Sequence, residues 1–300
     1  LHGANIADLT GATGGIFTQT GVLNYNGDAT GDAGSFTDAG GFAEDIFPGF
    51  PGTTGNTGNS ALEVMTYLEF PAADLYQFGV NSDDGFRVTA GRAPGDLLGT
   101  ILGYYDGGKG ASDVLFSVLV TEPGIYPIRL IWENGDGNLP DNGFNLEFFT
   151  VKDGVKTLVN YASADAIKAY TTSAAAGPFV SNLTPLRGAT GVSPITAVMA
   201  EISHGSVTVD SSTVKMKING TETAASATTV GSKTTVTRTA TDMFPSGSTT
   251  LVSIEFSDTA AKAYTTEWQF VVTPYTVLPE AVWTAPGTGD ATKPGLTARV

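Results

Sequence analysis

The side chains with chemistry to offer are carboxylates. Ser82-Asp83-Asp84-Gly85 places two of them side by side in a short polar turn, and this turn is the best candidate working site in the chain. Adjacent oxygen donors are chemistry for a hard cation. The same four residues also make a good tight turn between strands, with Gly85 free to take a positive φ, so both readings stand. A second acidic loop, Asp28–Asp38, reads as solvated, with a bound ion as the alternative. Other chemistries find less support. Glycoside hydrolysis needs two carboxylates about 5–10 Å apart, and among 30 acidic residues no pair is marked out. A Ser–His–Asp triad would have to draw on His2, which is terminal, or His204, which lies in Ser203-His204-Gly205-Ser206. Neither carries a supporting motif. The Gly-rich segments lack Gly-Lys-Ser/Thr, so there is no phosphate loop. With no Cys and two His, nothing soft is on offer, which argues against zinc, thiolate chemistry and a disulfide framework. The expectation is a chain that is not an enzyme, with any catalytic domain lying outside these residues.

The charge is uneven. Residues 1–177 hold 21 Asp and Glu against 7 Lys and Arg, a net of −14, while residues 178–275 hold 7 against 6. Such a field repels nucleic acid and anionic membranes and concentrates cations. Only 15% of the chain is charged, against roughly 25% in soluble domains generally. No apolar run approaches the ~20 residues that span a bilayer. The chain opens on Leu1 and closes on Ala298-Arg299-Val300 with no terminal cap, so a piece of something longer is expected.

The elements that must position the turn are strands. Leu62, Val64, Thr66, Leu68 and Phe70 alternate with more polar neighbours, as do Tyr76, Phe78 and Val80 before the turn and Phe86 and Val88 after it. Tyr126, Ile128, Leu130 and Trp132 keep the same period of two, and so do Phe144, Leu146 and Phe148. Val114–Val120 is a near-continuous apolar run, as a strand buried on both faces would be. Residues 3–60 read as long loops with short strands around Gly15–Gln19 and Leu23–Asn26, Phe47-Pro48-Gly49-Phe50-Pro51-Gly52 as a turn-rich patch, and Asn134–Gly143 as a Gly-rich loop. One short helix is expected near Ala162–Ala169. Composition shifts at Ala174-Ala175-Ala176-Gly177-Pro178, which sets domains at 1–177 and 178–275, with 276–300 a Pro-bearing linker. Six or seven short strands between 179 and 272 are an immunoglobulin-like count. Trp132 and Trp268 read as core residues, and Tyr104-Tyr105 as a pair able to stack on a sugar ring. The fold class expected is all-β, two sandwiches in tandem.

Residues 61–151 resemble the anthrax protective-antigen β-sandwich family, called PA-fourteen. The likeness is carried by Leu75–Val88, a strand, an acidic turn and a returning strand; by Gly124–Glu133 with its Tyr126-Pro127-Ile128; and by the loop Asn134–Gly143 leading into Phe144–Phe149. Residues 179–272 resemble the bacterial Ig-like modules of cell-surface proteins, through Pro185–Val192, Val214–Asn219 and Thr266–Phe270. The first resemblance implies a calcium ion held by the two adjacent Asp residues, joined by a cis peptide. An Asn side chain and backbone carbonyls from a second loop complete the protein's share, and sugar hydroxyls complete the shell. Carried over, the pair is Asp83 and Asp84, the second loop is Asn134-Gly135-Asp136-Gly137-Asn138, Asn134 is the side-chain ligand, and Asp136 and Asn138 offer carbonyls. Calcium's about 6–8 oxygen ligands at ~2.3–2.6 Å suit such a set. This chain departs from the sugar binders in its long loop, with Asp136, Asp141 and three glycines, and in lacking Cys clamps, which bears on sugar identity more than on the metal.

Two functions follow as expectations. One is a calcium-assisted carbohydrate-binding or adhesion module of a large secreted or cell-surface protein, with glycan as partner. The other is a structural module of an extracellular fibre, stalk or surface layer, with neighbouring modules or further copies of the chain as partners in a filament, and calcium purely structural.

Overall fold

The computed structural model describes residues 15–27, 33–49, 55–56, 58–135, 138–139, 144–172, 177–239 and 241–279. The first part contains strands β1 (Asn24–Asn26), β2 (Asp45–Ile46), β3 (Gly55–Asn56), β4 (Ser60–Phe70), β5 (Asp74–Ser82), β6 (Phe86–Ala90), β7 (Thr100–Tyr105), β8 (Ser112–Val120), β9 (Gly124–Asn134), β10 (Asn138–Leu139), β11 (Asn145–Lys152), β12 (Val155–Leu158) and β13 (Lys168–Tyr170). They form one sheet in the order β2-β1-β11-β5-β8, with β12 also on β11, a second in the order β13-β4-β9-β6-β7, and a separate pair of β10 with β3. The alternating apolar residues of both sheets meet in one core, which holds Phe78, Val80, Phe86, Leu130, Trp132, Leu146 and Phe148.

Period-two patterning explains this arrangement, because alternate residues of these strands face that core; β11 is buried on both faces over Asn145–Thr150. Pro127 shows how a proline is admitted to the middle of a sheet. Its carbonyl accepts from Gly91 N, just past the last β6 rung, Ala90↔Ile128. The N–H and C=O of a strand residue face the same neighbour, so the missing N–H falls where β6 has ended.

The second part contains β14 (Phe179–Thr184), β15 (Met199–Ser203), β16 (Val209–Ile218), β17 (Thr221–Thr223), β18 (Ala225–Val230), β19 (Lys233–Arg238), β20 (Thr249–Asp258) and β21 (Ala263–Val271). Two four-stranded sheets, β14-β15-β19-β18 and β17-β16-β20-β21, enclose a separate core that includes Trp268 and Phe270. The β6–β7 connection reaches into this second part. Leu97 N donates to Val180 O (3.1 Å), Arg92 Nη2 to Thr265 O (2.6 Å), and Arg187 Nη1 to Gly99 O (3.0 Å), while Leu97 and Leu98 pack on the second core.

Three expectations are corrected. No helix forms near Ala162–Ala169; the chain turns there and enters β13, which pairs with Tyr67–Glu69 of β4. Gly15–Gln19 forms no strand and lies exposed with no partner strand beside it. Val114–Val120 is not buried on both faces. It is the edge strand β8, whose outward residues Leu115 and Leu119 are 47% and 69% exposed. The expected boundary at Ala174–Ala176, the linker beyond 279 and much of the Phe47–Gly52 patch lie outside the described residues.

Candidate cation site at the Asp83-Asp84 turn

The acidic turn carries the chain from β5 in one sheet to β6 in the other, at one end of the first sandwich. Both sheets hold it. Asp83 N donates to Asn145 O at the start of β11 (3.2 Å), and Asp84 N donates to Glu133 O near the end of β9 (3.2 Å). Glu133 N returns a bond to Gly85 O (3.0 Å), Trp132 Nε1 donates to Asp83 O (2.9 Å), and Ser82 Oγ donates to Asp84 O (2.8 Å). The Asp83–Asp84 peptide is cis, the geometry the resemblance implies. Gly85 is not in the left-handed region, contrary to the tight-turn expectation. Its small size is needed for close approach instead: a Cβ there would lie 2.9 Å from Tyr105 O and 2.8 Å from Glu133 Oε1.

The Asp84 carboxylate joins two loops to the turn. Its Oδ2 accepts from Gly135 N (2.8 Å) and its Oδ1 from Lys109 N (2.9 Å). Two bonds leave a carboxylate with lone pairs to spare for a cation. The Gly135 bond also brings the end of β9 to the turn, and with it Asn134. That residue is 2% exposed, and among the described residues its Nδ2 has no hydrogen-bond partner. A half-turn of the amide puts its oxygen in the same place without changing its shape, which gives a buried carbonyl donor at the end of β9, one residue before Gly135.

Of the remaining expected ligands, Asn138 is placed by its backbone alone, in β10 opposite Asn56 of β3; its side chain, like Asp136 and Asp141, lies outside the described residues. Among the described residues no three Asp, Glu or His side chains gather as a metal-binding group. Beside Asp83 and Asp84, the Glu133 carboxylate also approaches the turn, with Oε1 against Gly85.

Lys109 was not flagged by the sequence, where it is one lysine in Gly107-Gly108-Lys109-Gly110. Its ammonium donates to Ser82 O (2.5 Å) and Ser112 O (2.7 Å) and lies 5.5 Å from the centre of the Tyr105 ring. Burial pushes its pKa down, while Asp83, Asp113 and Asp84 pull it up. The isolated lysine among glycines was the only available signal.

Trp132 is fully buried against Phe47 and Phe144 and offers no face to a ligand. Tyr104 and Tyr105, beside the turn, are 57% and 36% exposed. His204 is buried, with Nε2 2.8 Å from Thr234 Oγ1 and its pKa lowered by burial, while His2 lies outside the described residues. Only part of the Asp28–Asp38 loop is described; there Thr37 Oγ1 caps a 3-10 turn over Asp38–Gly40.

No protein-family model matches the chain. No curated protein matches it either. Among solved structures it is similar to the epithelial adhesin 6 A domain from Candida glabrata in complex with Galb1-3GlcNAc, at 15% identity and TM-score 0.30 over 51% of this chain and 71% of that one. It is similar to an anti-sigma factor domain-containing protein at 11% identity and TM-score 0.30, over 84% and 89% of the two chains. It is similar to CopC from Methylosinus trichosporium OB3b at 14% identity and TM-score 0.26, over 34% and 99%. Likenesses at these scores assign no function.

Proposed function

We propose that this chain is a calcium-assisted carbohydrate-binding and adhesion module of a large secreted or cell-surface protein. The ion sits on Asp83 and Asp84, with Asn134 and carbonyls of the Asn134–Asn138 segment as the remaining protein ligands. The observation that carries this reading is the Asp84 carboxylate bonded to Gly135 N, the residue after Asn134, whose buried amide nitrogen has no hydrogen-bond partner among the described residues. On the open side, vicinal hydroxyls of a sugar replace water at the metal. Tyr104 and Tyr105 offer apolar ring faces close by. Weak single-site affinity is offset by repetition of modules along a long protein. The test is calorimetric titration with calcium followed by a glycan array, wild type against Asp84→Ala. Calcium uptake and calcium-dependent glycan signals that vanish in the variant support the reading; an array unchanged by chelator sinks it.

A second reading has its own support. Asp84 already fastens two loops through main-chain N–H groups, as a purely structural ion site would. In addition, Leu75, Leu115 and Leu119 line the outward face of β5 and the edge strand β8. On this reading the module assembles with neighbours in a fibre, stalk or surface layer. A monodisperse monomer at all concentrations in sedimentation, with and without chelator, argues against it.

A further inference from the structure

A second polar cluster lies on the outer face of the first sheet, and the acidic turn does not use it. β1 and β11 set Asn24 opposite Glu147 and Asn26 opposite Asn145. β5 and β8 extend the first row to Asn81 and Asp113. Alternate strand residues share a face, so these side chains point away from the core that Leu146 and Phe148 enter. Residues 33–47 lie over the cluster. Asn24 Nδ2 donates to Phe36 O (2.9 Å) and Ala43 O (3.0 Å), and Asn26 Nδ2 to Glu44 Oε1 (3.1 Å). Asn24, Asn26, Asn145 and Glu147 are all buried.

Burial leaves this cluster short of positive charge and of donors. Asn24 Oδ1 and Asn145 Oδ1 have no hydrogen-bond partner among the described residues. The Glu147 carboxylate accepts from Ser35 N (2.7 and 3.0 Å to its two oxygens) and Phe36 N (2.9 Å). The nearby Lys156 ammonium goes instead to Asp113 and to Ser35 Oγ (2.7 Å). Gly34, at φ +108, closes over the group. A Cβ there would lie 2.1 Å from Glu147 Oε1 and 2.6 Å from Asn145 Nδ2, so the carboxylate and the amide crowd one point. A buried carboxylate without a counter-charge is costly, and so is a buried amide oxygen without a donor. An oxygen-seeking cation would relieve such groups, and the three residues sit on neighbouring rungs of one sheet face. Burial also pushes the Glu147 pKa up to about 7, against the pull of the Phe36 and Ser35 N–H groups; Asp113 adds to the rise and Lys156 opposes it.

We propose that Glu147, Asn145 and Asn24 form a second site for a calcium-class cation, one that fastens residues 33–47 to the sheet. All the ligands are oxygen, which excludes soft metals. A single carboxylate places the affinity at the weak end of calcium sites, a Kd on the order of 10⁻⁴–10⁻³ M as in extracellular modules. The site is distinct from the acidic turn, to which Asn145 is tied by its carbonyl, the acceptor of Asp83 N.

The test is calcium titration of the full chain by calorimetry in three forms: wild type, Asp84→Ala, and Asp84→Ala with Glu147→Gln. The single variant is expected to keep one weak site, and the double variant to weaken it at least tenfold. Should the double variant fold poorly, wild-type crystals soaked in terbium(III), a calcium surrogate, give the same answer. Their anomalous difference map is expected to show a peak within ~2.3–2.6 Å of the Glu147 carboxylate and Asn145 Oδ1. A single variant that takes up no calcium, a residual site indifferent to Glu147→Gln, or a map without that peak overturns the proposal. Equal uptake by wild type and Asp84→Ala, with the double variant weakened, would fault the reading of the turn and leave this one standing.

Discussion

Asp84→Ala separates the carboxylate's role as a clamp from its role as a ligand. The substitution removes the acceptor of two main-chain N–H groups, Gly135 at 2.8 Å and Lys109 at 2.9 Å. A hydrogen bond to an ionised acceptor contributes about 1.5–3 kcal/mol when shielded from water. The Gly135 bond is exposed and the Lys109 bond part-buried, so water replaces much of the first. The expected loss in chelator is about 2 kcal/mol for the two together. The turn survives, because the bonds of Asp83 N, Asp84 N and Ser82 Oγ run to or from main-chain oxygens that alanine keeps. Calcium changes the comparison. An ion bound only by the folded state adds RT ln(1 + [L]/Kd), about 2.7 kcal/mol at one hundred times Kd. Wild type gains this and the variant does not, so the gap widens to about 5 kcal/mol by the same relation. An ion at Glu147 affects both proteins alike and cancels. Hydrogen exchange at the β5 and β6 amides reads local opening free energies and avoids assuming that two sandwiches unfold as one. Equal protection of the two proteins in chelator refutes the clamp. A gap that calcium leaves unchanged refutes an ion at the turn.

Three further outcomes are expected. Glu147 has a folded-state pKa of about 7 against 4.5 ordinarily, so the folded state holds its proton longer; this stabilisation is complete below pH 4.5 and lost as pH rises through 7. The loss is up to ~3 kcal/mol at 1.36 kcal/mol per unit, and Glu147→Gln is expected to flatten it in urea midpoints taken in chelator between pH 5 and 8. Trp132→Ala is expected to cost about 3–5 kcal/mol and to raise exchange at the turn, because it removes both the ring beside Phe47 and the bond to Asp83 O; unchanged exchange there would show that the ring only fills space. Leu97→Asp puts a charge against the second core, beside the Leu97 N–Val180 O bond, and is expected to split a shared calorimetric unfolding transition in two, whereas an unaltered thermogram would show that the docking carries no cooperativity.

Much of the fold could be read from the sequence, because most strands that bury one face write that fact as alternation. β4, β5, β9 and β11 stand where Leu62–Phe70, Tyr76–Val80, Tyr126–Trp132 and Phe144–Phe148 place them. β8 defeats the same logic. Its apolar residues occupy both faces, but one face is the outside of the sheet, where Leu115 and Leu119 lie exposed as Leu75 of the neighbouring β5 does, and no local pattern tells a covered face from an open one. Ala162–Ala169 fails for another reason: alanine's helix preference is worth tenths of a kcal/mol per residue, and pairing with β4 outweighs it. At the turn, the adjacent carboxylates of Asp83 and Asp84 could be read directly, between two alternating strands, whereas Asn134 entered only through the resemblance. Lys109, Asn145 and Glu147 were not legible. Their partners are rungs apart in the sheet or far off in sequence, as Ser35 is from Glu147, and contacts of that kind leave no spacing to read.

The two polar clusters are not independent in the fold, because they share Asn145. Its carbonyl accepts from Asp83 N and so holds the acidic turn, while its side chain donates to Asn81 Oδ1 (2.8 Å) on the outer face. Asn81 in turn donates to Asp113 (2.7 Å), and Lys109 ties Ser82 O to Ser112 O. The last residues of β5 and the first of β11 thus serve one cluster with their main chain and the other with their side chains. The charge distribution gives this a physical motive. A compact body carrying −14 works against itself, and the described second part, near neutral over residues 178–275, carries no such burden. Fixing cations at the shared strand ends would lower that self-repulsion where the carboxylates are least hydrated. Because short-range ligation is screened by salt far less than the long-range field, stabilisation by calcium should persist at ionic strengths that abolish non-specific cation accumulation around the acidic half.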